Sequence, residues 1–229
     1  MHRLGIRFAK EEELKYISHL DLLRTYVRAI RRSRLPISYS QGFKPRPKIT
    51  LAVPLPLGAT SSGEYCDILL QEKVSPEFFG KKLAQQLPPG LRLMKVFDVL
   101  LEAPPLPAVI QGALYSYRNP HGLPGDIQEK ANKLLQRKEI KVARNKGRGK
   151  VIEVDIRPFI YSLKVNCQES KTQASLEMLL ATGSKGGAKP SEILKNLGED
   201  NVESYLLHRH SLYLRKDGMF KEPEEIITP

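Results

Sequence analysis

The chain has 229 residues, of which 41% are hydrophobic and 27% charged, and its formal charge is +12. That length suits two modules of about a hundred residues each, and the charge points to nucleic acid or an anionic surface as partner. No stretch approaches the ~20 apolar residues of a membrane span. The start lacks the apolar core of a secretory signal, and Cys66 and Cys167 are too few and too far apart for a zinc site or a cysteine-held iron–sulfur cluster. A reduced, cytoplasmic protein without a cofactor, a metal or a membrane partner is therefore expected.

Leu4, Ile6 and Phe8 alternate with Arg3, Gly5 and Arg7, which predicts a half-buried strand. Ser18 is the expected N-cap of the first helix, with Asp21 completing a short capping box. Leu20, Leu23, Val27 and Ile30 recur at steps of three and four and predict the buried face. Arg24, Arg28, Arg31 and Arg32 form a neighbouring basic stripe, and Pro36 stops the helix. Tyr39 to Lys48 reads as a loop stiffened by Pro45 and Pro47, which fix φ around Lys44, Arg46 and Lys48. Ile49–Val53 and Gly63–Leu70 read as strands. A helix capped by Ser75, with Pro76 at its first position, runs to about Leu87. Leu91–Leu100 is a further strand, and Ala103–Pro107 a linker or rigid crossover.

The same order then recurs. Val109–Arg118 suits a strand and Pro124–Arg137 a helix. Glu139–Arg144 and Lys150–Asp155 suit a hairpin about Asn145–Gly149. Ser162–Cys167 and Gln173–Ala181 suit two strands, Lys189–Leu197 a helix and His208–Lys216 a last strand, with Glu222–Pro229 a loose tail. The expected fold is α+β: two tandem ferredoxin-like (βαββαβ) modules over residues 1–102 and 108–221, antiparallel sheets with helices on one face.

Phe8, Ile17–Leu22 (ISHLDL), Arg24, Arg31, Arg32, Leu35, Pro36, Tyr39–Phe43 (YSQGF), Pro45, Pro47, Lys48 and Pro54–Gly58 (PLPLG) together resemble the radical-SAM-linked protein family. This is an uncharacterised bacterial domain that occurs free or fused C-terminal to B12-binding-type radical SAM proteins. Asp155–Ile160 (DIRPFI) resembles the family's other marker. Free members of the family often lie beside genes for an E/G-type ribonuclease and ribosomal proteins. The resemblance thus implies an RNA-related context and carries over no catalytic residue.

Between Arg24 and Lys48 stand eight Lys or Arg and no Asp or Glu. Lys and Arg contacts to phosphate supply most non-specific affinity for nucleic acid. Arg24, Arg28, Arg31, Arg32, Lys44, Arg46 and Lys48 are the expected phosphate contacts, and Tyr39 and Phe43 the rings that stack on unpaired bases. The ordinary alternative is a solvated helix face with Phe43 anchored on the core. Secondary basic positions are Arg144, Lys146, Arg148 and Lys150 in the hairpin, and Lys185 and Lys189 in a glycine-rich stretch before a helix. His19 and Asp21 are weak candidates for acid–base catalysis. His208 and His210 share a strand face without the carboxylate pattern of a metal site.

The expected function is a non-enzymatic RNA-binding accessory that presents tRNA or rRNA to a separate modifying or processing enzyme, with a radical SAM enzyme or an E/G-type ribonuclease as further partner. The alternatives are an RNA-processing or RNA-modifying enzyme on the paired scaffold, and a protein-binding adaptor for a ribonuclease or ribosomal protein.

Overall fold

The computed structural model describes residues 1–147, 149–166, 174–183, 186–199 and 206–228. The expected strand ends at Cys167 and Gln173 fall outside these residues.

The first half runs β1 (His2–Lys10), α1 (His19–Ser33), β2 (Ile49–Leu51), β3 (Thr60–Leu70), α2 (Pro76–Ala84) and β4 (Leu91–Val99). A single turn, α3 (Leu106–Val109), leads to β5 (Gly112–Tyr117) and α4 (Ile127–Gln136). A two-stranded hairpin of β6 (Lys141–Asn145) and β7 (Val151–Asp155) follows. Then come β8 (Ile160–Asn166), β9 (Ser175–Ala181), α5 (Pro190–Asn196), β10 (Leu207–Lys216) and β11 (Met219–Lys221). The chain is α+β, with one large, mostly antiparallel sheet and few helices. The sheet runs β4-β1-β3-β10-β5-β9-β8, with β2 against β3 and β11 against β10. The separate sheets expected for the two halves are joined: β10 pairs with β3 in parallel, His208 opposite Thr60 and Arg209 opposite Ser61.

Period-two alternation builds each core. Leu4, Ile6 and Phe8 of β1 and Cys66, Ile68 and Leu70 of β3 are fully buried under α1 and α2. Leu176, Met178 and Leu180 of β9 do the same with Tyr115 and Tyr117 of β5 under α4 and α5.

Two expectations need correction. β1 is buried on both faces, not one. Arg3 bonds Asp67 at 2.7 Å and the carbonyls of Ala103 and Pro104, while Arg7 pairs with Glu222 at 2.5 Å. The C-terminal segment is accordingly not a loose tail. Pro223, Glu224 and Ile227 are buried, and the Ile227 carbonyl accepts from Leu100 N at 3.2 Å. A buried guanidinium needs a carboxylate, and this segment supplies it to Arg7.

Candidate nucleic-acid interface

The basic stripe is positioned by how α1 docks. Ser18 Oγ accepts from Asp21 N at 3.1 Å, the expected N-cap, and donates to Asp21 Oδ2 at 2.7 Å; the Asp21 carboxylate thus takes the Ser18 hydroxyl in place of the backbone N–H that a capping box uses. The buried face differs from the expected one: it is Leu22, Tyr26, Ala29, Ile30 and Ser33, and Leu20 is 62% exposed. Tyr26 decides the rotation, because its ring packs 4.9 Å from that of Phe8. Arg24, Arg28, Arg31 and Arg32 are exposed as a result. At ~1.5 Å per residue they span about 12 Å along the helix.

The loop after α1 is closed at its base. Tyr39 bridges Pro47, Ser40 N donates to the Arg46 carbonyl at 2.8 Å, and Arg46 N donates to Ser40 Oγ at 3.0 Å. Ile37 bridges Leu70, and Gln71 N bonds the Pro36 carbonyl at 2.8 Å. The loop base and the end of α1 thus share the Leu70 end of β3. Gly42 holds φ at +120°, closed to other residues, and turns the tip.

Beside it Phe43 is fully exposed, so it does not anchor the loop. Tyr39 instead is half-buried and packs against the first core. Lys44, Arg46 and Lys48 are exposed. Among the described residues, Arg28, Arg31, Lys44, Arg46 and Lys48 have no carboxylate within 4.0 Å. Arg24 pairs with Asp21 at 2.9 Å, and Arg32 is bonded to Gln86.

Two of the secondary basic positions are engaged in structure. Arg144 makes a two-pronged pair with Glu192, both bonds at 2.7 Å, and also donates to the Gly187 carbonyl. Lys189 N donates to Glu192 Oε2 at 2.9 Å, so the start of α5 already holds a carboxylate where a phosphate would sit. Lys146, Lys150 and Lys189 are exposed; Arg148 and Lys185 lie outside the described residues. The DIRPFI marker is likewise structural. Asp155 Oδ1 accepts from Ile140 N and Arg157 N, which holds its carboxyl below the usual range, and the Arg157 guanidinium bonds the Leu135 carbonyl at the end of α4.

His19 is half-buried beside Lys10 and Glu64, against a space of about 10 Å³, room for one water. Burial lowers its pKa, so the imidazole is neutral. Asp21, whose own pKa is lowered by its bonds to Ser18 and Arg24, is held in the cap. Among the described residues no hydrogen bond joins the two.

Two further clusters lie at β10, and the first has no clear signal in the sequence. Arg209 is fully buried and directs its five N–H donors to Glu64, the Val53 and Pro54 carbonyls and Tyr115 Oη. Nothing in HRHSL separates this arginine from a surface one. His208 and His210, whose shared face is visible in their spacing, bond Thr60 Oγ1 at 2.8 Å and Ser116 Oγ at 2.9 Å in a cleft also lined by Arg118. Among the described residues no cluster of His, Cys, Asp or Glu is arranged to hold a metal, and no helix is long and apolar enough to cross a membrane.

The profile of an uncharacterised protein conserved in bacteria (DUF2344) matches residues 3–190. The chain belongs to this family. The match takes in the whole of the Arg24–Lys48 surface and the DIRPFI staple, and stops short of β10. No curated protein matches the chain.

Proposed function

We propose that the protein is an RNA-binding accessory, cytoplasmic and not itself catalytic, that presents tRNA or rRNA to a separate modifying or processing enzyme, a radical SAM enzyme being the partner suggested by the family resemblance. The observation that carries this reading is the loop tip. A bare phenylalanine on a closed, proline-stiffened loop loses little entropy on stacking against a base. Lys44, Arg46 and Lys48 of the same loop, with Arg28 and Arg31 of α1, have no carboxylate within 4.0 Å among the described residues and suit the phosphates of the same strand. On this reading the scaffold is a pair of ferredoxin-like modules. Strand orders β4-β1-β3-β2 and β10-β5-β9-β8 support that assignment, and the modules would be joined edge to edge.

The test is a salt series of binding to total tRNA, rRNA and heparin, with wild type against Arg28→Glu/Arg31→Glu and Lys44→Glu/Lys48→Glu. The expected result is one RNA class bound above heparin. Both variants should be weaker, with a salt slope shallower by about 0.7 for each single-strand phosphate they no longer neutralise. Equal binding of all polyanions, or variants that bind like wild type, would overturn the reading.

A further inference from the structure

Between the end of α1 and α2 lies an open cleft of about 410 Å³ that none of the expected RNA contacts except Arg32 explains. Phe78 forms one wall and is 53% exposed. Lys82 holds its Nζ 5.7 Å from the centre of that ring. Arg34 stands at the mouth, exposed, as the C-cap of α1 with φ at +55°. In this left-handed position glycine or asparagine is the favoured residue, and a long side chain is strained. Arg34 has no carboxylate within 4.0 Å among the described residues. Three cations, Arg32, Arg34 and Lys82, thus face one anion, Glu72, around an aromatic ring. An arginine in a position where glycine would be more stable, beside an open ring, points to a binding role.

We propose that this cleft is a nucleotide subsite on the same RNA surface, an inference that rests on the RNA reading above. A base stacks on Phe78, and the flanking phosphates are held by Arg34 and Lys82. The cleft and the loop base share the Leu70 end of β3, through the Pro36–Gln71 bond and the Glu72 lining. A strand therefore passes from Phe43 over Arg31 and Arg34 to Phe78. Two exposed rings, one at each end of a basic track, select unpaired bases, because bases inside a duplex have no free face to offer. The ligand class is single-stranded RNA.

The test is fluorescence anisotropy with a labelled eight-nucleotide oligouridylate and with a blunt-ended RNA duplex, alongside thermal unfolding. The variants are Phe78→Ala, Arg34→Gly and, for the loop, Phe43→Ala. The single strand is expected to bind more tightly than the duplex, and each cleft variant to weaken it about fivefold or more. Arg34→Gly should at the same time raise Tm, a combination that a purely structural role for Arg34 does not give. Cleft variants that bind as wild type while Phe43→Ala binds weakly would overturn the subsite and leave the RNA reading standing. Preference for the duplex would also overturn it. Wild type binding neither probe would overturn both.

Discussion

The Arg209–Glu64 pair is costly to break from one side. Both side chains are almost wholly buried, and the guanidinium is saturated by Glu64, two carbonyls and Tyr115. Removing one partner leaves a buried charge without its counter-ion. Arg209→Met is expected to lower stability by about 3–5 kcal/mol in chemical unfolding, and adding Glu64→Met should recover much of that loss. His208 makes a second residue-scale prediction. The Ser62 hydroxyl donates to the His210 carbonyl, so His208 Nε2–H donates to Ser62 and Nδ1 accepts from Thr60. That neutral form is locked in. Burial first, then the neighbouring His210 and Arg118, push the His208 pKa down to about 4. Below about pH 6.5 the unfolded chain takes up a proton that the folded one refuses. Stability is therefore complete above that pH and falls as pH drops toward 4. Tm measured at pH 7.5 and 4.5 should show the fall. His208→Gln should flatten it in part, since His210 and His19 are also held neutral by burial.

At the scale of elements, the β6–β7 hairpin lies off the main sheet and depends on side-chain staples. Arg144 fastens it to α5 through Glu192, Asp155 ties its exit to its entry at Ile140 N, and Arg157 fastens the exit to α4 through the Leu135 carbonyl. Arg144→Gln is expected to cost about 1.5–3 kcal/mol and to lower hydrogen-exchange protection in β6 and β7 before β8 or β9. This staple also shows where sequence reading stops. Element order, the Ser18 and Ser75 caps and the hairpin were all legible, because each is a local pattern within a few residues. The fate of a charge was not. Arg3 and Arg7 stood on the expected open face of β1 and Arg144 in a basic hairpin, and nothing local marks Arg209, yet each meets a carboxylate or carbonyl tens to hundreds of residues away. The docking face of α1 was only partly legible, Ile30 being buried as expected and Leu20 exposed, for a related reason. Two apolar stripes compete there, and the choice is made by Tyr26 against Phe8, a contact between elements. The exposed cations of Arg24–Lys48 were legible because, Arg32 on Gln86 apart, no distant partner among the described residues engages them.

At the scale of the whole molecule, the two halves share one sheet through the short β3–β10 pairing. Gly63 permits it: a Cβ there would strike the His210 carbonyl and come within 2.6 Å of Ser211 Cα. Gly63→Ala is expected to cost about 1–3 kcal/mol and to loosen β3 and β10 at the seam, read by hydrogen exchange, while β8 and β9 stay protected. On the proposed reading, the basic surface of the first half binds RNA. The most direct measurement is ultraviolet cross-linking of the purified protein to cellular RNA, with the adducts mapped by mass spectrometry. The account predicts adducts at Phe43 and its neighbours in the Tyr39–Lys48 loop. Adducts confined to the β6–β7 hairpin or to the second half, or none at all, would contradict it.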